Sequence, residues 1–252
     1  MCLVVFAWKV HPEYRLILAA NRDEFHARPS QKMHWWPDQP DIVAGRDLLA
    51  GGTWLAAAKG GHFSTVTNYR DPDSPRGKRK SRGELVSNFV GGNATPGQFN
   101  AAIEGDRYAG FSLLTADSNE LCYVSNRGDK PSGLASGVYG LSNASLDTPW
   151  PKLLRTRDGL SDLVSNAAVN ESELLRLMED RQTATAAEVG NDSLSFELAR
   201  ALSAPFIQTP DYGTRCISTL LWGYDEKISL SEKRFDANGK PSGESRFSFV
   251  AT

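Results

Sequence analysis

The feature that most constrains the fold is a pair of apolar runs at the amino terminus. They cover residues 3–8 and 15–20, and His11-Pro12-Glu13 separates them. Short runs rich in Val, Ile, Leu and aromatic residues predict strands, and the residues between them predict a turn, so we expect a β-hairpin. Because polar residues hardly interrupt either run, we expect both faces of this hairpin to be buried.

The rest of the chain predicts strands near both ends and helices in the middle. Further strand patterns occupy 42–45, 53–59, 62–68, 111–115, 121–125, 215–222, 227–235 and 244–249. Helical periodicity occupies 82–90, 96–104, 150–164, 171–180 and 196–202. Residues 28–41, with three prolines, predict an irregular loop, and residues 181–195 predict a polar connection. This order favours an α+β fold, with residues 1–252 forming one domain, over a doubly wound parallel sheet.

The overall composition excludes several function classes. A net charge of -2 and a pI near 6.1 do not indicate a nucleic-acid partner. No apolar stretch approaches the roughly 20 residues of a membrane span, and no basic segment precedes the first apolar run, so we expect a soluble protein that is not secreted. The three cysteines and four histidines show no metal-site spacing, which predicts no structural metal and a cytoplasmic location.

One segment departs from this even balance of charge. Residues 76–82 read Arg-Gly-Lys-Arg-Lys-Ser-Arg and follow two prolines. The first interpretation is a solvated loop, and the second is contact with an anionic substrate or partner.

The sequence contains no GxGxxG, GxxxxGK[ST] or GxSxG motif, so nucleotide-binding folds and serine hydrolases have no motif support.

Cys2 follows the initiator methionine directly. If Met1 is removed, one residue carries both a thiol, with a reference pKa of about 8.5, and an α-amine, with a reference pKa of about 7.7–8.0. The amine can then act as the base for the thiol, which is the logic of an N-terminal nucleophile. The alternative is a small buried hydrophobic residue, the usual role of a free cysteine.

The polar cluster Asn21-Arg22-Asp23-Glu24 follows the second apolar run. A two-stranded hairpin returns its end to the beginning of its first strand, so we expect this cluster beside Cys2. Asp23 would then bond the amine of Cys2, and Arg22 would favour the thiolate. The alternative is a turn at the strand end with a local salt bridge.

The chain resembles the NRDE family, to which the eukaryotic transport and Golgi organisation proteins belong, in motifs that run from end to end. The motifs are Met1-Cys2, Asn21-Arg22-Asp23-Glu24-Phe25, Ala44-Gly45-Arg46-Asp47, Gly51-Gly52-Thr53-Trp54-Leu55, Thr67-Asn68-Tyr69-Arg70, Ser81-Arg82-Gly83-Glu84-Leu85, Tyr139-Gly140-Leu141-Ser142-Asn143-Ala144, Leu146-Asp147-Thr148-Pro149-Trp150-Pro151-Lys152 and Tyr212-Gly213-Thr214-Arg215. This resemblance implies a four-layer αββα sandwich of the N-terminal-nucleophile hydrolase type. The family is similar in turn to the cysteine amidases that cleave bile-salt conjugates and penicillin V.

The amidase resemblance implies a role for each matching residue. Cys2 matches the nucleophile, Asp23 the aspartate that orients its amine, and Asn143 the asparagine that donates to the oxyanion. Arg215 matches a late arginine near the thiolate, and Asn68 a second oxyanion donor. Arg22 lies one place from the amidases' early arginine. The implied substrate is an amide or thioester of a small acyl group, and hydrolysis needs no cofactor.

What is known of the family implies two alternatives. The first is a haem-binding chaperone that uses the same cleft, with Cys2, His26, His34 or His62 as an axial ligand and with Trp35, Trp36 and Trp54 lining a flat apolar pocket. The second is a non-catalytic interaction domain in lipid or acyl-CoA homeostasis, which only the basic segment supports.

Overall fold

A computed structural model describes residues 2–70, 79–128, 132–189 and 194–252. Its described strands form two antiparallel sheets. The first sheet has the order β10-β1-β2-β11-β12-β13, built from β1 (Cys2–Trp8), β2 (Tyr14–Phe25), β10 (Gly137–Leu141), β11 (Tyr212–Gly223), β12 (Lys227–Phe235) and β13 (Pro241–Val250). The second has the order β3-β4-β5-β6-β7-β8-β9, built from β3 (Ser30–Trp36), β4 (Gln39–Asp47), β5 (Leu55–Ala58), β6 (Phe63–Asn68), β7 (Phe111–Ala116), β8 (Leu121–Ser125) and β9 (Ser132–Gly133).

Helices cover the outer face of each sheet. Leu153 of α3 (Pro151–Ser165) and Leu174 of α4 (Glu171–Met178) pack on the first sheet. Phe89 of α1 (Gly83–Val90) and Phe99 of α2 (Pro96–Ala101) pack on the second sheet. A third apolar cluster, which includes Phe6 and Leu114, fills the space between the two sheets. The layers therefore run αββα, and the predicted α+β sandwich is confirmed.

The amino-terminal hairpin forms as the sequence predicts. β1 and β2 pair antiparallel, with Cys2 opposite Arg22 and Trp8 opposite Leu16. Alternate residues of β1 face different layers, Val4 toward the second sheet and Leu3 toward the helices. Both faces are buried, which explains why the runs are almost continuously apolar.

The predicted loop over residues 28–41 is wrong, because this segment holds β3 and the beginning of β4. Pairing between these strands is irregular, with register shifts between Gln31 and His34 and between Trp35 and Trp36. These irregularities break the alternation by which a strand is recognised. The connection predicted over 181–195 contains α5 (Ala186–Val189), and residues 190–193 lie outside the described residues.

Three further expectations concern a membrane span, the basic segment and the last helix. Within the described ranges, no helix combines the length and the apolar character that crossing a membrane requires. Residues 76–78 of the basic segment lie outside the described residues, whereas Arg79–Arg82 belong to the described part. The last predicted helix is also present, as α6 (Phe196–Ala201).

Candidate functional site

Cys2 begins β1, an interior strand between β2 and β10. Its backbone is held at both ends by the segment that follows β10. The Cys2 backbone nitrogen donates to Asn143 Oδ1 at 3.3 Å, and Ser142 Oγ donates to the Cys2 carbonyl oxygen at 3.0 Å. The thiol therefore stands on a backbone fixed by pairing with Arg22 of β2 and by two polar side chains, as pre-organised chemistry requires.

Asn143 joins the beginning of β1 to the end of β6. Its Nδ2 donates to the Asn68 carbonyl oxygen at 2.8 Å, and its own carbonyl oxygen accepts from the Arg70 backbone nitrogen at 2.7 Å. Its φ of 44° lies in the left-handed region, which asparagine tolerates better than most residues. The amide has two N–H groups, so its second one is available to a ligand.

Asp23 is 2% exposed and lies on the helix-covered side of the first sheet. Thr214 Oγ1 donates to Asp23 Oδ1 at 2.7 Å, and Tyr212 Oη donates to the Asp23 carbonyl oxygen at 2.7 Å. Burial raises the pKa of this carboxyl group, while the Lys152 ammonium, the Thr214 hydrogen bond and Arg22 act to lower it. Folding therefore transfers this carboxyl group from water into a buried pocket of polar and cationic groups.

The Cys2 thiol lies among groups of both charges. Burial is the largest influence and raises its pKa, and the negative charge of Asp23 raises it further. A hydrogen bond from the Asp23 backbone and the Arg22 guanidinium act in the opposite direction. The predicted hairpin therefore does bring Cys2, Arg22 and Asp23 together, whereas their chemical roles remain predictions.

Arg22 is 5% exposed and shares the inter-sheet face with Cys2. Its guanidinium carbon lies 4.3 Å from the centre of the Trp54 ring, and its Nη2 lies 3.5 Å from Asp47 Oδ2. Stacking and ion pairing hold the cation in one orientation beside the thiol.

Arg215, the late arginine that the resemblance implies, contacts the end of β2. It is the extra residue of a bulge in β11, between Thr214, which pairs with Asp23, and Cys216, which pairs with Arg22. Its Nη1 donates to the carbonyl oxygens of Phe25 and His26, at 3.1 and 2.8 Å. The bulge turns the side chain toward the end of β2, and a role beside the thiolate stays a prediction.

Two cations that sequence reasoning did not assign approach the thiol from the helices. Arg82 precedes α1, and Lys152 lies in the first turn of α3, where it is 5% exposed. Burial lowers the pKa of each, and the interaction of each with Cys2 raises it. Both residues lie within family-like motifs of the sequence, but nothing in local spacing shows that these helices meet the thiol.

Two cavities lie near Cys2 and Asn143. A polar cleft of about 680 Å³ is lined by Cys2, Arg22, Asp23, Glu24, Arg28, Asp47, Ala50, Thr53, Trp54, Val66, Asn68, Arg79, Lys80, Ser81, Arg82, Gly83 and Ala109. A second, narrower cavity of about 70 Å³ is lined by Asn143, by apolar residues such as Trp150 and Leu202, and by the charged residues Arg70, Lys152 and Glu188. The two cavities share no lining residue, and the hydrogen bond between the Cys2 nitrogen and Asn143 Oδ1 links their walls.

The residues considered for haem do not share the cleft. Cys2 and Trp54 line it, whereas His26 Nε2 bonds the Thr209 carbonyl oxygen at 3.1 Å and His62 packs 4.8 Å from the Phe89 ring. His34 bonds the Lys32 carbonyl oxygen, Trp35 packs on β13, and Trp36 is buried under α1. None of these three histidines lines the cleft, so Cys2 is the one axial ligand considered that does, and haem binding stays a prediction. In the described part of the chain, no three His, Cys, Asp or Glu residues converge on a metal position.

Two solved structures have the same architecture. The Caenorhabditis elegans ortholog of N-acylethanolamine-hydrolyzing acid amidase superposes with a TM-score of 0.53 at 11% identity, over 87% of this chain and 92% of that one. The C2A mutant of the conjugated bile acid hydrolase from Clostridium perfringens superposes with a TM-score of 0.52 at 8% identity, over 100% and 98%. At such identities the likeness concerns the fold, which is that of the N-terminal-nucleophile hydrolases.

Sequence comparison defines the family. The family model described as "Transport and Golgi organisation 2" matches residues 1–237, and the chain belongs to this family. The Transport and Golgi organization protein 2 homolog of Bos taurus is 33% identical over 92% of each chain. The Homo sapiens homolog is 32% identical over 92% of each chain.

Proposed function

We propose that this protein is an N-terminal-nucleophile hydrolase in which Cys2 attacks an amide or thioester of a small acyl group. The observation that carries the proposal is the backbone anchorage of Cys2 by Asn143 and Ser142 at the mouth of the cleft. The similar Clostridium perfringens structure supports it, because that hydrolase was solved as its C2A mutant.

The proposed reaction begins after Met1 is removed. The α-amine of Cys2 takes the thiol proton, and the sulfur attacks the substrate carbonyl carbon to form a tetrahedral oxyanion. The second N–H of the Asn143 amide and the side chain of Asn68 donate to that oxygen. The leaving amine or thiol takes the proton from the Cys2 ammonium, and water then hydrolyses the acyl thioester and regenerates the thiol.

Neighbouring charges have separate tasks in this scheme. Asp23 holds the amine of Cys2 from the helix-covered side, while Arg22 and Arg82 favour the thiolate from the cleft. We assign the acyl group to the cavity lined by Asn143, whose wall is mostly apolar. We place this chemistry in the cytoplasm, which the three free cysteines favour.

Haem trafficking and a role in lipid homeostasis receive less support from the site. Only Cys2 and Trp54 of the residues considered for haem line the cleft. We therefore treat the cleft as a site for an acyl substrate.

Mass spectrometry of the amino-terminal peptide tests the proposal. After purification from cytosol and reaction with an acyl thioester, we expect a peptide that lacks Met1 and carries one acyl group on Cys2. The Cys2→Ala variant should remain unmodified, and Cys122→Ala should react like the wild type, because Cys122 is buried in β8. Retention of Met1, or equal acylation of the wild type and Cys2→Ala, would show that the proposal is wrong.

A further inference from the structure

We propose that the cleft beside Cys2 contains a binding site for an anionic group, a carboxylate or a phosphate, on the leaving part of the substrate. This inference rests on the proposed function for the position of the scissile bond, and it adds the substrate class: an acyl amide or thioester with a negatively charged leaving group. The acyl part belongs in the mostly apolar cavity lined by Asn143.

Charges in the cleft do not cancel. Its five cationic residues outnumber its three carboxylates, Asp23, Glu24 and Asp47. Arg28 bonds Asp47 at 2.6 Å and lies 3.9 Å from Glu24, and Asp23 accepts a hydrogen bond from Thr214. Among the residues described, Arg82 has no carboxylate within salt-bridge distance, and its Nη1 donates only to the Gly110 carbonyl oxygen at 3.0 Å. A half-buried guanidinium without a counterion attracts an anion.

Arg22 supplies an unused donor to the same cleft. The side chain is about nineteen-twentieths buried, at 5% exposure, and its Nη1 has no hydrogen-bond partner within the described part of the chain. A buried donor without a partner costs free energy, so it favours a ligand that accepts from it. Because Trp54 and Asp47 hold this guanidinium in place, its orientation does not depend on that ligand.

The beginning of α1 lines the cleft and is the third feature that favours an anion there. Ser81, Arg82 and Gly83 line the cleft, and the N-cap residue Arg82 makes no side-chain capping bond. The amino-terminal end of a helix carries partial positive charge, which attracts carboxylates and phosphates. The first backbone N–H groups of α1 already have partners, because those of Gly83 and Glu84 donate to Ser81, so the helix contributes its partial charge. Two guanidinium groups and a helix end therefore converge beside the sulfur.

Anion titration followed by NMR tests this inference. The indole N–H resonance of Trp54, assigned with Trp54→Phe, should shift saturably with sodium phosphate or sodium acetate at constant ionic strength. Arg82→Gln should weaken binding about tenfold, the loss expected for one charge-assisted hydrogen bond. Arg246→Gln removes a cation that pairs with Glu171 on exposed β13, and it should bind like the wild type.

Alkylation of Cys2 gives a second readout that does not require Arg82→Gln to fold. The ratio of the iodoacetate rate to the iodoacetamide rate, read from the amino-terminal peptide, should exceed the ratio for a free small thiol by about tenfold. The comparison cancels the intrinsic reactivity of the sulfur, because both reagents attack the same thiolate.

The outcomes separate the two anion sources and the two proposals. Saturation by phosphate alone assigns the site to a phosphate, and saturation by acetate with a raised iodoacetate ratio assigns it to a carboxylate. Absence of saturation with both salts, or equal binding by the wild type and Arg82→Gln, overturns the inference. Because the NMR titration needs no reactive thiol, a protein that binds anions but acylates no substrate refutes only the proposed hydrolysis.

Discussion

Lys152 shows how a single buried charge supports the candidate site. Its ammonium donates to the Leu202 carbonyl oxygen at 2.9 Å, and its charge lowers the pKa of Asp23. Both residues are at least nineteen-twentieths buried, at 5% and 2% exposure. Each charge therefore depends on the other to offset the loss of hydration.

A double-mutant cycle measures this dependence. Lys152→Met should lower the free energy of unfolding by about 3 kcal/mol, because it removes a buried cation that offsets the burial of the Asp23 carboxyl group. In an Asp23→Asn background the same change should cost about 1–3 kcal/mol less. Urea unfolding of the four proteins at pH 7 gives the coupling.

Lys59→Met is the matched control for that cycle, since Lys59 is exposed and pairs with exposed Asp41. It should change the free energy of unfolding by no more than about 0.5 kcal/mol. An equal cost of Lys152→Met in both backgrounds would mean that the two charges act independently.

For the individual residues of the site, the sequence predicts some positions and not others. The hairpin brings Asp23 to Cys2 because the strand pattern and the turn residues determine that return locally. Lys152 and Arg82 approach from α3 and α1 through tertiary packing, which leaves no spacing signal in the sequence. Arg215 follows the family-like motif, yet the bulge at Thr214 and Cys216 redirects its side chain.

Among the secondary-structure elements, α1 owes its position to a close backbone contact. A Cβ on Gly52 would lie 2.5 Å from the Gly83 carbonyl carbon and 2.9 Å from the Glu84 nitrogen. No side chain of the neighbour can move aside, because the contact is with backbone. Glycine at position 52 thus allows the amino-terminal end of α1 to stand beside the cleft.

We expect Gly52→Ala to displace α1. The free energy of unfolding should fall by about 1–3 kcal/mol, the usual cost of forcing an added methyl group into a packed contact. Anion binding, followed by the Trp54 resonance, should weaken at the same time. Gly60→Ala is the matched control, because a Cβ there has no neighbour within 4 Å. Equal stability of the two variants would contradict this account of the contact.

The strands differ in how clearly their sequences predict them. β1 and β2 are long apolar runs, and the helices α1 to α4 and α6 form where periodicity indicates them. β3 was missed because the prolines on either side of it and its irregular register hide the alternation, and β10 is a five-residue strand with two glycines. Such elements gain their stability from pairing with neighbours, which single-sequence patterns do not contain.

In the whole molecule, the two sheets use different parts of the chain. The first combines β1, β2 and β10 with the carboxyl-terminal strands, whereas the second uses the segment from β3 to β9. Cys2 therefore lies in the interior of a sheet closed by contacts between distant residues. Apolar packing between the sheets and polar contacts such as Glu232 to Met33 then hold the cleft between them.

Glu232 makes that inter-sheet contact sensitive to pH. Its Oε1 accepts from the Met33 backbone nitrogen at 2.9 Å, and burial raises the pKa of its carboxyl group above the unfolded value. The stability from Glu232 is therefore complete below its unfolded pKa of about 4.3 and declines as the pH rises to its folded pKa. In urea unfolding from pH 4 to 8, Glu232→Gln should gain stability relative to the wild type as the pH rises. Exposed Glu104→Gln is the control, and a difference that stays constant or falls for Glu232→Gln would contradict this linkage.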